Sequence, residues 1–245
     1  MRAVILSAGQ GSRLLPLTAD RPKCLLPLKS KTLLQWQVET LAAGGVKDIA
    51  VVVGFRAAMV EEHLAQLRRE GLSLRTILNP FFNVADNLGS CWLAREEMGG
   101  DFLIVNGDTI FEPAVLQRLL ASPAAPITVT IDRKDSYDAD DMKVRVEGTQ
   151  LFDIGKTLPL DVVNGESIGM LLFRGEGPRL FRDAVEKAMR QPEGLKWWYL
   201  KVIAQIAKSH RVEIALIQGL RWGEVDYPAD LLRAERLAES WEQRR

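Results

Sequence analysis

The most constraining feature of the chain is a rhythm in its first 110 residues. A short apolar run closes in glycine or a polar turn, a longer stretch with helical periodicity follows, and the unit recurs. Ala3 to Leu6, Ile49 to Val53 and Phe102 to Val105 are rich in β-branched and aromatic residues and show no polar alternation. Strands of this kind are covered on both faces, as in a parallel sheet with helices packed on either side, so the pattern predicts an α/β core. Between the first two runs Leu34, Val38 and Leu41 recur at helical spacing, Thr32 and Gln35 have the spacing of a capping box, and Gly44-Gly45 stops the segment. A second helix is predicted from about Arg56 to Arg69, with Val60, Leu64 and Leu67 as its apolar stripe, and a third from about Leu88 to Glu97.

After Pro126 the rhythm changes. Met142, Val144 and Val146 alternate with Lys143, Arg145 and Glu147, and Gly148-Thr149 leads into Leu151 to Ile154, the pattern of a hairpin with one wet face. Ser167 to Phe173 reads as another strand, helices follow at about Pro178 to Arg190 and Leu195 to Ser209, and Val212 to Ile217 is a last strand before a helix from Pro228. No linker rich in Gly, Pro or Ser and no internal repeat interrupts the chain. The expectation is one domain over 1–245, with a core at 1–125, a β-rich insertion at about 126–175, and helices with a closing strand at 176–245. The expected fold class is α/β, a Rossmann-like, mostly parallel but mixed sheet flanked by helices.

The composition narrows the functions such a fold serves here. With 32 Lys and Arg against 32 Asp and Glu the net charge is zero, which gives no general footprint for a polyanion, so nucleic acid is not an expected partner. No apolar run approaches the roughly 20 residues of a membrane span, and the Met1 to Leu6 start lacks the apolar stretch and cleavage site of a secretory signal; a cytoplasmic protein without a membrane partner is expected. Cys24, Cys91, His63 and His210 show neither a disulfide framework nor zinc-ligand spacing.

Chemistry concentrates in Leu6-Ser7-Ala8-Gly9-Gln10-Gly11-Ser12-Arg13-Leu14, directly after the first strand. A Gly-x-Gly turn at a strand's carboxyl end lets the main chain approach a phosphate and leaves N–H donors for it. The loop fails as a dinucleotide fingerprint, since its third glycine position is Leu14 and the second strand ends in Val53-Gly54 with no acidic residue for a ribose; it is no Walker A loop, lacking Gly-Lys-Ser or Gly-Lys-Thr. Alone it would serve equally as a connecting turn. It is accompanied, however, by Arg13, Arg21 and Lys23 among Pro16, Pro22 and Pro27, cations on a stiffened loop that suit an anionic ligand such as a triphosphate.

Over about 20 positions, Gly9-x-Gly11-Ser12-Arg13-Leu14-x-Pro16-Leu17-Thr18 followed by Pro22-Lys23 resembles the signature of the nucleotidyltransferases that activate sugar 1-phosphates and phospho-alcohols. The resemblance implies a GT-A-like nucleotidyltransferase fold, a nucleoside triphosphate and a small phosphorylated acceptor as partners, and Mg²⁺ as cofactor. It implies that Leu6, Ala8, Gly9, Gly11 and Ser12 bind the nucleotide and that Arg13 and Lys23 are the catalytic cations. Asp108, in Asn106-Gly107-Asp108 past a buried strand, resembles the family's metal-binding aspartate, and Asp226, in Trp222-Gly223-Glu224-Val225-Asp226, its second; Asp226 also reads as a cap or first-turn charge of the last helix. The segment from Asn79 to Ser90 corresponds to the base-reading part. Its Asn87-Leu88-Gly89-Ser90 departs from the Gly-Leu-Ala-Gln type of thymidylyl- and uridylyltransferases and resembles cytidylyltransferases acting on phosphocholine and related compounds, with Asn87 and Ser90 as the reading residues and an Asx cap at Asp86 or Asn87 as a compatible reading.

Within 126–175, the acceptor region by resemblance, Lys156 is the candidate for the acceptor's phosphate and Glu166 for its organic part, and each also reads as plain surface. No aromatic spacing identifies a cage for a choline headgroup. The expectation is CMP transfer from CTP to a phosphorylated alcohol or aminoalkyl phosphonate with release of pyrophosphate. A sugar-1-phosphate uridylyl-, guanylyl- or thymidylyltransferase and a catalytically silent nucleotide-binding regulatory subunit stand as alternatives. Assembly into a homo-oligomer is left open, with Trp197-Trp198 readable as core or as interface.

Overall fold

In the computed structural model, which describes residues 1–243, the apolar runs become the centre of one nine-stranded mixed sheet. Arg244 and Arg245, the end of the expected 176–245 segment, lie outside the described residues. The first half runs β1 (Arg2–Ser7), the short β2 (Pro27–Leu28) and β3 (Lys31–Thr32), α1 (Leu33–Ala43), β4 (Asp48–Val53), α2 (Ala57–Leu67), β5 (Ser73–Leu78), α3 (Asn87–Leu93), β6 (Phe102–Asn106), β7 (Thr109–Phe111) and α4 (Pro113–Leu120). The second runs β8 (Ile127–Asp132), β9 (Lys143–Glu147), β10 (Gln150–Gly155), β11 (Gly165–Phe173), α5 (Gly177–Met189), α6 (Tyr199–Ala207), β12 (Val212–Leu216), β13 (Trp222–Glu224) and α7 (Pro228–Glu242). Strand order in the main sheet is β5-β4-β1-β6-β11-β8-β12-β10-β9. β5, β4, β1 and β6 run parallel, and β11 enters antiparallel to both β6 and β8.

Alternate residues of each central strand serve opposite layers, as period-two geometry requires. Val4 joins one apolar cluster with Phe102, Phe173, Phe181 and Tyr199, while Ala3 and Ile5 join the other with Leu34, Val38 and Leu41 of α1. A third, smaller cluster lies outside the sheet. It gathers Leu14, Leu26 and Leu28 after β1, Leu33 and Trp36 of α1, Ile110 of β7, Val225, and Ala234, Ala238 and Trp241 of α7.

Several local expectations need correction. Thr32 caps α1 by accepting the amide of Gln35 at 3.1 Å, but the Gln35 side chain turns to Glu39 instead of back to Thr32, so half of the capping box forms. The helix expected to reach Glu97 ends at Leu93, and Arg95–Glu97 is a separate 3-10 turn. The helix expected from Leu195 begins at Tyr199; Gly194–Lys196 is a 3-10 turn, and Trp197 and Trp198 are extended because the chain there hydrogen-bonds to α3. β5, α4 and β8 carried no expectation, and β8 lies in the middle of the sheet. In the hairpin Val144 and Val146 are buried, and so is Lys143, although it falls on the polar positions. Its ammonium is satisfied by the carbonyls of Asp138 and Asp141 and by that of Lys156 at 2.9 Å. Among the described residues no helix is long and apolar enough to cross a membrane.

Candidate active site

The end of β1 and the loop that follows present a row of unused donors. Gly9, Gln10 and Gly11 lie outside any strand or helix, and among the described residues their main-chain N–H groups donate to nothing in the protein. The loop is nonetheless held: Thr18 Oγ1 donates to the Gly11 carbonyl at 2.8 Å, and Gln10 Nε2 donates to the Thr18 carbonyl at 3.2 Å. Gly11 has φ of 79°, and a Cβ there would stand 2.9 Å from Cβ of Lys23, so glycine brings the loop onto the lysine stem.

Lys23 joins the loop to both expected metal carboxylates. Its Nζ lies 2.8 Å from Asp108 Oδ2 and 2.9 Å from Asp226 Oδ1. Burial is the largest single influence on Lys23 and pulls its proton affinity down, but the two carboxylates together outweigh it and hold the ammonium well above its ordinary range. Burial likewise pushes the Asp108 carboxyl up, and the Lys23 cation reverses that, leaving it below the usual range. The second Asp108 oxygen, Oδ1, is buried without a hydrogen-bond partner. Gly107 makes this approach feasible, because a Cβ there would sit 2.5 Å from the Leu6 carbonyl oxygen and 2.3 Å from Ser7 Oγ.

Arg13 extends the network, with Nη2 3.1 Å from Asp226 Oδ1 and Nη1 3.3 Å from Asp140 Oδ2. The third apolar cluster explains the convergence of these distant segments. Leu14 follows Arg13, Ile110 stands two residues beyond Asp108, and Val225 immediately precedes Asp226, all packed together under α7. Asp226 does not cap that helix; the Asp230 carboxylate does, accepting the amides of Tyr227 at 2.7 Å and Asp226 at 3.1 Å.

Beyond Asp226 opens a cleft of about 550 Å³, whose lining includes Lys134, Asp141, Glu166, Glu224, Tyr227 and Arg233. Glu166 pairs with Lys134 at 2.9 Å, yet burial pushes its carboxyl up to about 7. Glu224 carried no expectation. The Glu224-Val225-Asp226 alternation places two carboxylates on one side and the fully buried Val225 on the other, a period-two signal legible in the sequence. Burial, followed by the charges of Asp108, Asp226 and Glu166, pushes Glu224 up to about 8. Lys156 lies at the cleft's edge, 3.5 Å from Asp140 Oδ1 and with its ammonium 4.9 Å from the Trp198 ring centroid.

The two residues expected to read a base are tied into the scaffold. Asn87 Oδ1 accepts the amide of Tyr199 at 2.9 Å, so Asn87 caps α6 and not its own helix, and neither it nor Asp86 makes the expected side-chain cap on α3. Because the partner is an N–H, the Asn87 oxygen is fixed inward and its Nδ2, which has no partner among the described residues, is the group left over. Ser90 Oγ is buried and accepts from Asn79 Nδ2 at 3.0 Å.

Residues that hold a divalent ion need hard oxygen donors with spare acceptor capacity, and Asp108 and Asp226, already converging on one cation, meet that requirement through the orphaned Asp108 Oδ1. At 33% identity over 252 residues, CMP-5'-(3-aminopropyl)phosphonate synthase of Streptomyces rubellomurinus aligns with 96% of the chain, which spans 38% of that protein. The bifunctional IPC transferase and DIPP synthase of Rubrobacter xylanophilus is 31% identical across 98% of the chain and 52% of its own length. The chain thus spans between a third and about half of these longer relatives. Among solved structures, the inositol-1-phosphate CTP transferase from T. maritima superposes with a TM-score of 0.81 at 22% identity, covering 97% of this chain and 94% of that one, a likeness of fold. The nucleotidyl transferase family model matches residues 2–141. That match covers more than half of the chain and includes the glycine loop, Lys23 and Asp108, and the protein therefore belongs to the nucleotidyl transferase family.

Proposed function

We propose that the protein transfers CMP from CTP to a small phosphorylated alcohol or phosphonate that also carries an amine, releasing pyrophosphate. The observation that carries nucleotidyl transfer is the position of Lys23, one ammonium shared by Asp108 and Asp226 directly beneath a loop whose amides are unpaired. In this reading the acceptor's oxygen attacks the α-phosphorus, the bond from that phosphorus to the bridging oxygen breaks, and the electron pair leaves with pyrophosphate. Both reactants are anions, so the protein's work is alignment and charge neutralisation. The amides of Gly9 to Ser12 with Arg13 hold the β and γ phosphates, and Lys23 turns from the carboxylates to the α-phosphoryl group. Asp108 and Asp226 would hold Mg²⁺, which supplies charge neutralisation at the phosphates when bound. The acceptor oxygen is already ionised at neutral pH, so no general base is required.

Charge in the cleft supports an acceptor with a cationic end. Asp138, Asp141, Glu166, Glu224, Asp226 and Asp230 are among its lining, against Lys134, Arg233 and Arg236. A hexose offers the buried Glu166 and the half-buried Glu224 only neutral hydroxyl donors, whereas an ammonium also compensates their charge. The naming of the Streptomyces relative for an aminopropylphosphonate product supports the same choice. For the base, the inward-fixed oxygen of Asn87 leaves an N–H donor, which complements the N3 and O2 acceptors of cytosine and opposes the N3–H of uracil or thymine. The deciding experiment is pyrophosphate release with each nucleoside triphosphate against phosphocholine, 2-aminoethylphosphonate, inositol phosphate and hexose 1-phosphates. Turnover with CTP and an amine-bearing acceptor is expected; preference for UTP or dTTP with a hexose 1-phosphate overturns the reading.

A further inference from the structure

Arg13, Lys23, Lys134, Lys156 and Arg233 each have a carboxylate partner from within the chain, but one of those carboxylates has unusual company. Asp140 is exposed, with 51% of its side chain accessible, and yet three donors converge on it. Arg13 Nη1 lies 3.3 Å and the Tyr227 hydroxyl, which donates, 2.7 Å from Oδ2, and Lys156 Nζ lies 3.5 Å from Oδ1. These donors come from the signature loop, the start of α7 and the turn after β10. Tyr227 is further fixed by Arg13, whose guanidinium stacks 4.9 Å from its ring centroid. The other end of the same guanidinium reaches Asp226, so the seat lies one side chain from the carboxylate pair. Asp140 is presented to it by its own loop: Asp138 Oδ1 accepts the amides of Asp140 at 2.8 Å and Asp141 at 3.1 Å, and Lys134 grips Asp141 at 2.7 Å.

Two cations and a hydroxyl arranged about a single anionic group match the needs of a phosphoryl or phosphonyl group better than those of a lone carboxylate, which has one oxygen fewer to share among them. We propose that Asp140 is a built-in stand-in for a substrate phosphoryl group, seated on Arg13, Tyr227 and Lys156, and that a substrate must displace it to bind. The inference rests on the nucleotidyl-transfer reading and adds to it an anion seat and an internal competitor for that seat. The phosphoryl group is either the nucleotide's terminal phosphates or the acceptor's own phosphate or phosphonate, which bring the same chemistry.

The test uses Asp140→Asn, which removes the charge of an exposed residue at constant shape, and Tyr227→Phe, which removes one donor from the seat. KM and kcat are measured for CTP at saturating acceptor and for the acceptor at saturating CTP, and direct binding of inorganic pyrophosphate and of inorganic phosphate is measured by calorimetry. An exposed ion pair shifts an equilibrium by up to about fivefold, so losing two predicts a KM lowered about three- to tenfold in Asp140→Asn, with kcat nearly constant. The KM that falls identifies the displaced ligand. Tyr227→Phe raises the same KM, and high ionic strength shrinks the gap between Asp140→Asn and the wild type. An Asp140→Asn protein whose KM values are both unchanged or raised overturns the proposal, as does a Tyr227→Phe protein with both unchanged. If the wild type releases no pyrophosphate with any substrate pair, the functional reading fails and calorimetry still judges the seat: tighter anion binding by Asp140→Asn supports it, and equal or weaker binding overturns it.

Discussion

Replacing Lys23 by methionine keeps the aliphatic stem that packs against Gly11 and removes the charge that Asp108 and Asp226 share. Deleting one partner of a buried ion pair costs about 3–5 kcal/mol. The side chains here retain 15%, 25% and 20% of their exposure, for Lys23, Asp108 and Asp226 in turn, and Arg13 still neutralises Asp226 from 3.1 Å. Solvent screening and that second cation bring the expected loss to about 2–3 kcal/mol. At about 2–4 °C per kcal/mol for a chain of this size, the metal-free variant should melt about 4–12 °C below the wild type. Magnesium should then act differently on the two proteins. In the wild type the lysine competes for the carboxylates, whereas the variant offers them unopposed. Metal at about 100 times its dissociation constant restores about 2.7 kcal/mol. Turnover falls by about 10²- to 10³-fold or more, the usual cost of losing one preorganised charge at a reacting phosphate. Calorimetric melts in EDTA and in Mg²⁺, beside a pyrophosphate-release assay, check all three outcomes. A Lys23→Met protein that melts with the wild type in EDTA, or that gains no more from Mg²⁺ than the wild type does, refutes the view that these carboxylates are held together by a shared cation.

Glu224→Gln should show its effect through pH. A carboxyl raised to about 8 is protonated in the fold and ionised in the unfolded chain between about pH 4.5 and 8, so its contribution to wild-type stability declines across that window as pH rises. The variant, a neutral mimic, should therefore gain melting temperature over the wild type at pH 9 and much less at pH 5; an equal difference at both pH values counts against a desolvated, charge-crowded Glu224. Gly107→Ala should cost about 1–3 kcal/mol through overpacking, because its Cβ would meet the Leu6 carbonyl oxygen at 2.5 Å, and should reduce Mg²⁺-dependent turnover by displacing Asp108. An unchanged melting temperature would show that the turn tolerates a side chain.

The parts of the molecule written in local pattern were legible in the sequence. Val4, Val51 and Ile104 sit in strands buried on both faces, and unbroken apolar runs announce that environment directly. Lys23, Asp108 and Asp226 were identifiable as site candidates from a family resemblance, while their meeting at one ammonium depends on packing among residues far apart in the chain. β8 escaped notice because Thr128 and Thr130 alternate with Ile127, Val129 and Ile131 as if one face were wet; both threonines are fully buried. Lys143 deceived in the same way, since a lysine on a polar strand position reads as solvent-facing until three carbonyls are found around it. Asn87 looked like a cap for the helix it opens and instead caps another 112 residues away, a relation no local window contains. Glu224 was the missed opportunity, for its spacing from Asp226 was in plain view.

Among the described residues, the small apolar cluster beneath α7 draws on nothing between Ile110 and Val225. The segment from Lys134 to Glu166, which supplies Asp138, Asp140, Asp141 and Glu166 to the cleft's lining, therefore adds nothing to that cluster and meets Arg13 and Tyr227 through Asp140. On the proposed reading, such a division lets substitutions in this stretch change the acceptor without disturbing the apolar packing beside Asp108 and Asp226, with Asp140 as a point where the two are coupled.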